Sequence, residues 1–132
     1  MSDLPVRNRV LIVDDDPGVR ETFRRLLLQA GFQVIAVSSG SAALATLHDD
    51  PTIGLMLLDV GMPEMDGLTV RRTQLADSQL SSIPTVIVSG SADQRIKRDD
   101  TRADDYLHKP ILRRQLLEVV SRYCTPERDS TR

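Results

Sequence analysis

The side chains able to do chemistry in this chain sit where short apolar runs end. Val10-Leu11-Ile12-Val13 stops on Asp14, Asp15 and Asp16; Leu55-Met56-Leu57-Leu58 stops on Asp59. Thr85-Val86-Ile87-Val88 stops on Ser89, and Tyr106-Leu107-His108 stops on Lys109. Runs of this length and β-branched content read as strands buried on both faces. If the strands are parallel, these ends share one sheet edge, the edge where open α/β sheets bind ligands. Carboxylates crowded there repel, and their proton affinities rise unless a cation joins them. Mg²⁺ suits such a cluster, because it takes one or two carboxylates, keeps several waters and leaves room for a phosphoryl oxygen. With the charge balanced, Asp59 stays ionised and can attack phosphorus to form an aspartyl phosphate. Transfer of this kind needs mainly positioning and neutralisation of the equatorial oxygens. The ion would serve one oxygen, the Lys109 ammonium a second and the Ser89 hydroxyl a third. Asp59 on its own would read as a turn or capping residue; its company reverses that reading.

Helical patterns separate these strands. Asp16-Pro17 has the form of a cap followed by a first-turn proline. Val19, Phe23, Leu26, Leu27 and Ala30 then line one helix face, and Gly31 supplies the stop. Phe32 to Val37 reads as a second strand, and Ser38/Ser39 as the cap of a helix through Ala43, Leu44 and Leu47. Met62-Pro63 ends the Asp59 strand, and Asp66-Gly67 opens a third helix with Asp66 as N-cap. Leu68, Val70 and Leu75 are its main apolar residues, and Arg71, Arg72 and Gln74 make it unusually polar. Arg71 and Arg72 read as a solvated face. Leu112, Leu116, Val119, Val120 and Tyr123 mark a last helix. Five strands alternating with five helices call for a parallel sheet covered on both faces, an α/β fold.

Composition agrees with a single domain. The chain has 132 residues, 40% hydrophobic and 27% charged, which is ordinary for a globular protein. The formal charge of -2, with no basic stripe, gives no sign of nucleic-acid binding. No apolar run approaches membrane-spanning length and the first residues lack a signal-peptide core, so the expected compartment is the cytoplasm. A single cysteine, Cys124, leaves neither an internal disulfide nor a cysteine metal cluster. Residues 1–8 read as an extension, 9–124 as the domain, and 125–132 as a flexible tail or linker start.

Four motifs together resemble the receiver domain of two-component response regulators. They are Val10-Leu-Ile-Val-Asp-Asp-Asp-Pro17, Leu57-Leu-Asp-Val-Gly-Met-Pro-Glu-Met-Asp-Gly67, Val86-Ile-Val-Ser-Gly90 and Ala103-Asp-Asp-Tyr-Leu-His-Lys-Pro110. The resemblance runs from about Arg9 to Tyr123. It implies a flavodoxin-like fold of five β/α units with strand order 2-1-3-4-5. It also implies that Asp59 takes phosphate from a phosphohistidine on a sensor histidine kinase or phosphotransfer protein. Asp14, Asp15 and Asp59 would hold Mg²⁺, with the Gly61 carbonyl as a further ligand. Ser89 and Tyr106 match the family's switch pair, and Lys109 precedes a proline whose peptide bond is often cis. A downstream output domain or protein would read the switch, and a homodimer on phosphorylation is open. The chain would be a phosphoacceptor rather than an enzyme, with at most self-phosphorylation from small donors and slow autodephosphorylation. Gly61 stands where the family usually has a larger residue, and the interval from Ser89 to Lys109 looks short.

Competing readings make distinct demands. An aspartate phosphohydrolase of the haloacid dehalogenase type would carry its nucleophile on the first strand with a threonine soon after; Asp14 is followed by Asp15-Asp16-Pro17-Gly18. A flavin carrier needs aromatic stacking, and aromatics are 3% with no tryptophan. A docking receiver that is never phosphorylated would not need an intact acidic site. Residues 93–102, with Ile96 as the one large apolar side chain, are expected to form a short, frayed or partly unfolded fourth helix.

Overall fold

The structure, a computed structural model, describes residues 6–62, 67–90 and 102–127. Five strands, β1 (Arg9–Val13), β2 (Gln33–Val37), β3 (Ile53–Asp59), β4 (Thr85–Ser89) and β5 (Asp105–His108), form one sheet in the order β2-β1-β3-β4-β5. Every neighbouring pair is parallel. Four helices occur among the described residues, against five expected: α1 (Pro17–Gln29), α2 (Gly40–Asp49), α3 (Gly67–Ala76) and α4 (Arg113–Val120). The helix expected at 93–102 lies outside the described residues except for Arg102, and so does Asp66, the expected cap of α3.

Both sheet faces are covered, which is why β3 is buried at all seven positions. On one face, Val10, Ile12, Leu55, Leu57, Val86 and Val88 pack against Phe23 and Leu27 of α1 and Leu116 and Val120 of α4. On the other, Leu11, Met56, Leu58 and Ile87 pack against Ala43 and Leu47 of α2 and Val70 of α3. Complete burial of a leucine such as Leu27 contributes roughly 1.5–3 kcal/mol.

Local signals set the helix ends. Asp16 caps α1, its Oδ1 accepting from Gly18 N at 2.8 Å and Val19 N at 3.3 Å. Ser39 caps α2 by accepting from Ala42 N at 3.1 Å. Gly31, at φ +97°, turns the chain out of α1 through a conformation that favours glycine. Gly67 answers a different need: a Cβ there would stand 2.7 Å from Val60 Cα and 2.8 Å from Asp59 O. Only glycine lets α3 begin so close beneath the end of β3.

One expectation needs correction. The buried face of α3 is Gly67, Val70, Arg71 and Gln74, while Leu68 and Leu75 are only half-buried. Arg71 is therefore not on a solvated face; it is 4% exposed, and Arg72 beside it is exposed. Its guanidinium donates to Gln74 Oε1 at 2.7 Å, Thr85 Oγ1 at 3.0 Å and the Arg102 carbonyl at 2.7 Å. Those partners make its burial tolerable.

At the carboxyl end, Thr125 and Glu127 are hydrogen-bonded to the body of the domain. Thr125 N donates to Asn8 Oδ1 and Asn8 Nδ2 to Thr125 O, each at 2.7 Å. Glu127 N donates to Gly31 O at 2.7 Å, and Gln33 Nε2 to Glu127 Oε1 at 2.5 Å. Residues 128–132 lie outside the described residues.

Candidate acidic site at the carboxyl edge of the sheet

Parallel pairing brings the ends of β1, β3, β4 and β5 to one edge, as the apolar runs require. Register makes the match close: Val13 pairs with Leu58, Asp59 with Val88, and Ser89 with His108. Asp14 and Asp59 are therefore the first polar residues met on leaving the two central strands. They are 2% and 5% exposed, whereas Asp15 is open to solvent. Carboxylate oxygens of Asp14, Asp15 and Asp59 all lie within 4.8 Å of one another.

Each acid has a fixed neighbour. Asp14 Oδ1 accepts from Asp16 N at 2.9 Å, and Arg20 donates to the Asp14 carbonyl at 2.9 Å. Asp59 Oδ1 accepts from Gly61 N at 3.1 Å. The Lys109 ammonium reaches in from the end of β5, 3.2 Å from Asp14 Oδ2 and 3.7 Å from Asp59 Oδ1. Lys109 N also donates to the Ser89 carbonyl at 2.7 Å, which fastens β5 to β4 at this edge. The Lys109-Pro110 peptide is cis.

The electrostatics follow from this crowding. Burial raises the Asp59 pKa above its ordinary value; Asp14 and Asp15 add to the rise, and the Gly61 N–H and Lys109 oppose it. Burial also works against the Lys109 ammonium, but Asp59 and Asp14 outweigh it and the lysine pKa goes up. A cluster of three acids with one ammonium carries excess negative charge. Hard oxygen donors in that state fit a small divalent cation. Asp16 does not join them, because its side chain is committed to α1. Asp16→Ala is accordingly expected to cost about 1 kcal/mol of stability in a denaturant titration and to leave Mg²⁺ affinity unchanged. A loss of affinity as large as that from Asp14→Ala would contradict this division of labour.

The other sequence candidates stand nearby with less contact. Ser89 and Tyr106 are half-buried on β4 and β5, and Tyr106 packs on the α2–α3 side of the sheet. Gly61 is exposed beside Asp59. His48 pairs with Asp77 at 3.2 Å and stays away from the acids, and His108 is exposed. Beside the acids, Asp16, Gly18, Val19, Phe23, Lys109 and Ile111 line a cavity of about 670 Å³ that the sequence did not signal. Val19 and Phe23 read from the sequence simply as core.

The family model of the response regulator receiver domain matches residues 10–121. The chain belongs to the response regulator receiver family. Receiver domains bind Mg²⁺ at an acidic pocket and interact with sensor histidine kinases and output domains; they are generally signalling proteins rather than enzymes. This receiver is 36% identical over 113 residues to the transcriptional regulatory protein GltR of Pseudomonas aeruginosa, covering 84% of the chain and 46% of that protein. It is 37% identical over 125 residues to the response regulator MprA of Mycobacterium avium, covering 92% of the chain and 54% of the relative. It thus spans about half the length of these relatives. A receiver protein from Pseudomonas putida superposes with a TM-score of 0.81 at 31% identity, covering 89% of this chain and 98% of that one. No helix among the described residues is long and apolar enough to cross a membrane.

Proposed function

We propose that this receiver takes a phosphoryl group onto Asp59 from a phosphohistidine on a sensor kinase or phosphotransfer protein, and passes the signal to an output partner. The observation that carries the reading is the meeting of the Asp14, Asp15 and Asp59 carboxylates within 4.8 Å, with the Lys109 ammonium beside two of them. Asp14, Asp15 and Asp59, with the Gly61 carbonyl, would hold Mg²⁺. When bound, the ion supplies positive charge against the incoming phosphoryl oxygens.

The chain's own groups do the rest. The Gly61 N–H fixes one Asp59 oxygen, so the carboxylate is already oriented before the donor arrives. A bond forms from an Asp59 oxygen to phosphorus, the P–N bond breaks, and its electron pair returns to the imidazole nitrogen. Lys109 neutralises one phosphoryl oxygen and the Ser89 hydroxyl donates to another. Pulling Ser89 toward the new group opens space on the β4–β5 side, and Tyr106 turns inward to fill it. A ligand can bias two conformations only through contacts that differ between them, and here the Ser89 hydroxyl makes the difference.

Acetyl phosphate tests the acceptor chemistry without a kinase. Incubation in Mg²⁺ should add one phosphoryl group to the intact mass, and chelation by EDTA should abolish the addition. Equal labelling with and without Mg²⁺, or none in either, would overturn the reading.

A further inference from the structure

Arg71 is a buried cation that the phosphoryl chemistry does not use. Its guanidinium grips three elements at once: Gln74 on its own helix, Thr85 at the start of β4, and the carbonyl of Arg102 ahead of β5. Gln74 completes the cage by donating to the Leu80 and Ile83 carbonyls at 3.1 and 3.0 Å. Arg102 has φ +48°, a left-handed backbone that residues with a Cβ adopt at a cost, so a bond to its carbonyl holds a conformation the chain would otherwise relax.

Strand alternation gives this cage its importance. Thr85, Ile87 and Ser89 share one face of β4, and Asp104 and Tyr106 share the same face of the β5 segment. Ile87 pairs directly with Tyr106. Along that face the order is therefore the Arg71 cage at Thr85, then the Ile87–Tyr106 pair, then Ser89 at the acidic edge. Asp104 is held in the same corner, its Oδ2 accepting from Thr85 N at 2.8 Å. Burial lowers the Arg71 pKa, and the Asp104 carboxylate in the same corner opposes that shift.

We propose that Arg71 is a positioning residue for Tyr106: by fixing Thr85 and the Arg102 carbonyl it sets where the Tyr106 ring rests, and so biases the aromatic half of the switch from the side opposite the phosphoryl site. The switching role of Tyr106 rests on the function proposed above; the positioning of its ring does not.

The full chain labelled with 3-fluorotyrosine gives two fluorine resonances, from Tyr106 and Tyr123, and Tyr106→Phe assigns them. In the unphosphorylated protein, Arg71→Met should shift or split the Tyr106 resonance. Arg71→Lys, which keeps the charge and loses the fork of donors, should move it less in the same direction. Val120→Ala removes stability from the opposite face of the sheet and should leave the Tyr106 signal in place. A Tyr106 resonance unmoved in every folded Arg71 variant would overturn the inference, as would an equal movement in Val120→Ala. If Arg71→Met does not fold, Arg71→Lys is judged by the same two criteria. Because these spectra are taken without phosphate, a failure of Asp59 to accept phosphate leaves them readable.

Discussion

Asp59→Asn is expected to abolish phosphoryl uptake completely and, at the same time, to raise the melting temperature of the resting domain. The first effect follows from losing the nucleophilic carboxylate. The second follows from the electrostatics. Burial, with Asp14 and Asp15 beside it, holds the Asp59 pKa above its value in the unfolded chain. The folded protein therefore binds more protons than the unfolded one between those two values. Stability is fully present below the unfolded pKa and declines as pH rises through the raised one. At neutral pH the ionised carboxylate is a net cost, and asparagine removes it. Lys109 keeps a partner, because Asp14 Oδ2 remains 3.2 Å away. A gain on the order of 1 kcal/mol, or about 4 °C for a domain of this size, is the expected scale. The gain should shrink as the pH is lowered toward the acid range, where Asp59 is already protonated. Intact mass after acetyl phosphate treatment and thermal melts at several pH values check both halves. A mass increase that persists in the variant would refute the acceptor, and a lowered melting temperature at neutral pH would refute the charge account.

Gln74→Leu should be the most damaging conservative change on α3. The side chain is fully buried. Its Oε1 accepts from Arg71 at 2.7 Å and from Thr85 Oγ1 at 3.1 Å, and its Nε2 donates to two carbonyls of the 77–83 connection. Leucine keeps most of the volume but leaves a buried guanidinium one acceptor short and two carbonyls without their donor. Unpaired buried groups cost about 1–3 kcal/mol each, more near a charge, so roughly 3–5 kcal/mol is expected. That is a large part of the 5–15 kcal/mol typical of a whole domain. Arg72→Ala, one residue away on the exposed side, should stay within about 0.5 kcal/mol. Urea titrations compare the two at equal m-value. A loss below about 1 kcal/mol for Gln74→Leu would mean the amide is not holding the corner together.

That contrast also explains what could be read from the amino acids alone. Strands β1, β3 and β4 announce themselves because burial on both faces demands consecutive apolar residues, and the polar groups that end them stand out against that background. Asp14, Asp15, Asp59, Ser89 and Lys109 were legible for this reason, and once the strands are parallel, their shared edge follows. The inward face of α3 was not legible. Arg71 and Gln74 occupy core positions only because Thr85, the Leu80 and Ile83 carbonyls and the Arg102 carbonyl satisfy them, and a periodicity of local hydrophobicity has no access to partners up to 31 residues away. The clasp between Asn8 and Thr125, across 117 residues, was hidden in the same way. The type of Lys109 could be read, but its rest position against Asp14 could not, since nothing local fixes where a long ammonium side chain points.

The Asn8–Thr125 clasp has a topological consequence. The points where the backbone enters β1 and leaves the last helical turn touch through two hydrogen bonds, at the sheet edge away from the acids. A short glycine-rich bridge across them would close the chain into a ring with little added constraint. New ends could then be cut in the exposed Ser78-Gln79 stretch. Such a circular permutant would keep every strand neighbour and every residue of the acidic edge, while reversing the order in which the two halves of the sheet leave the ribosome.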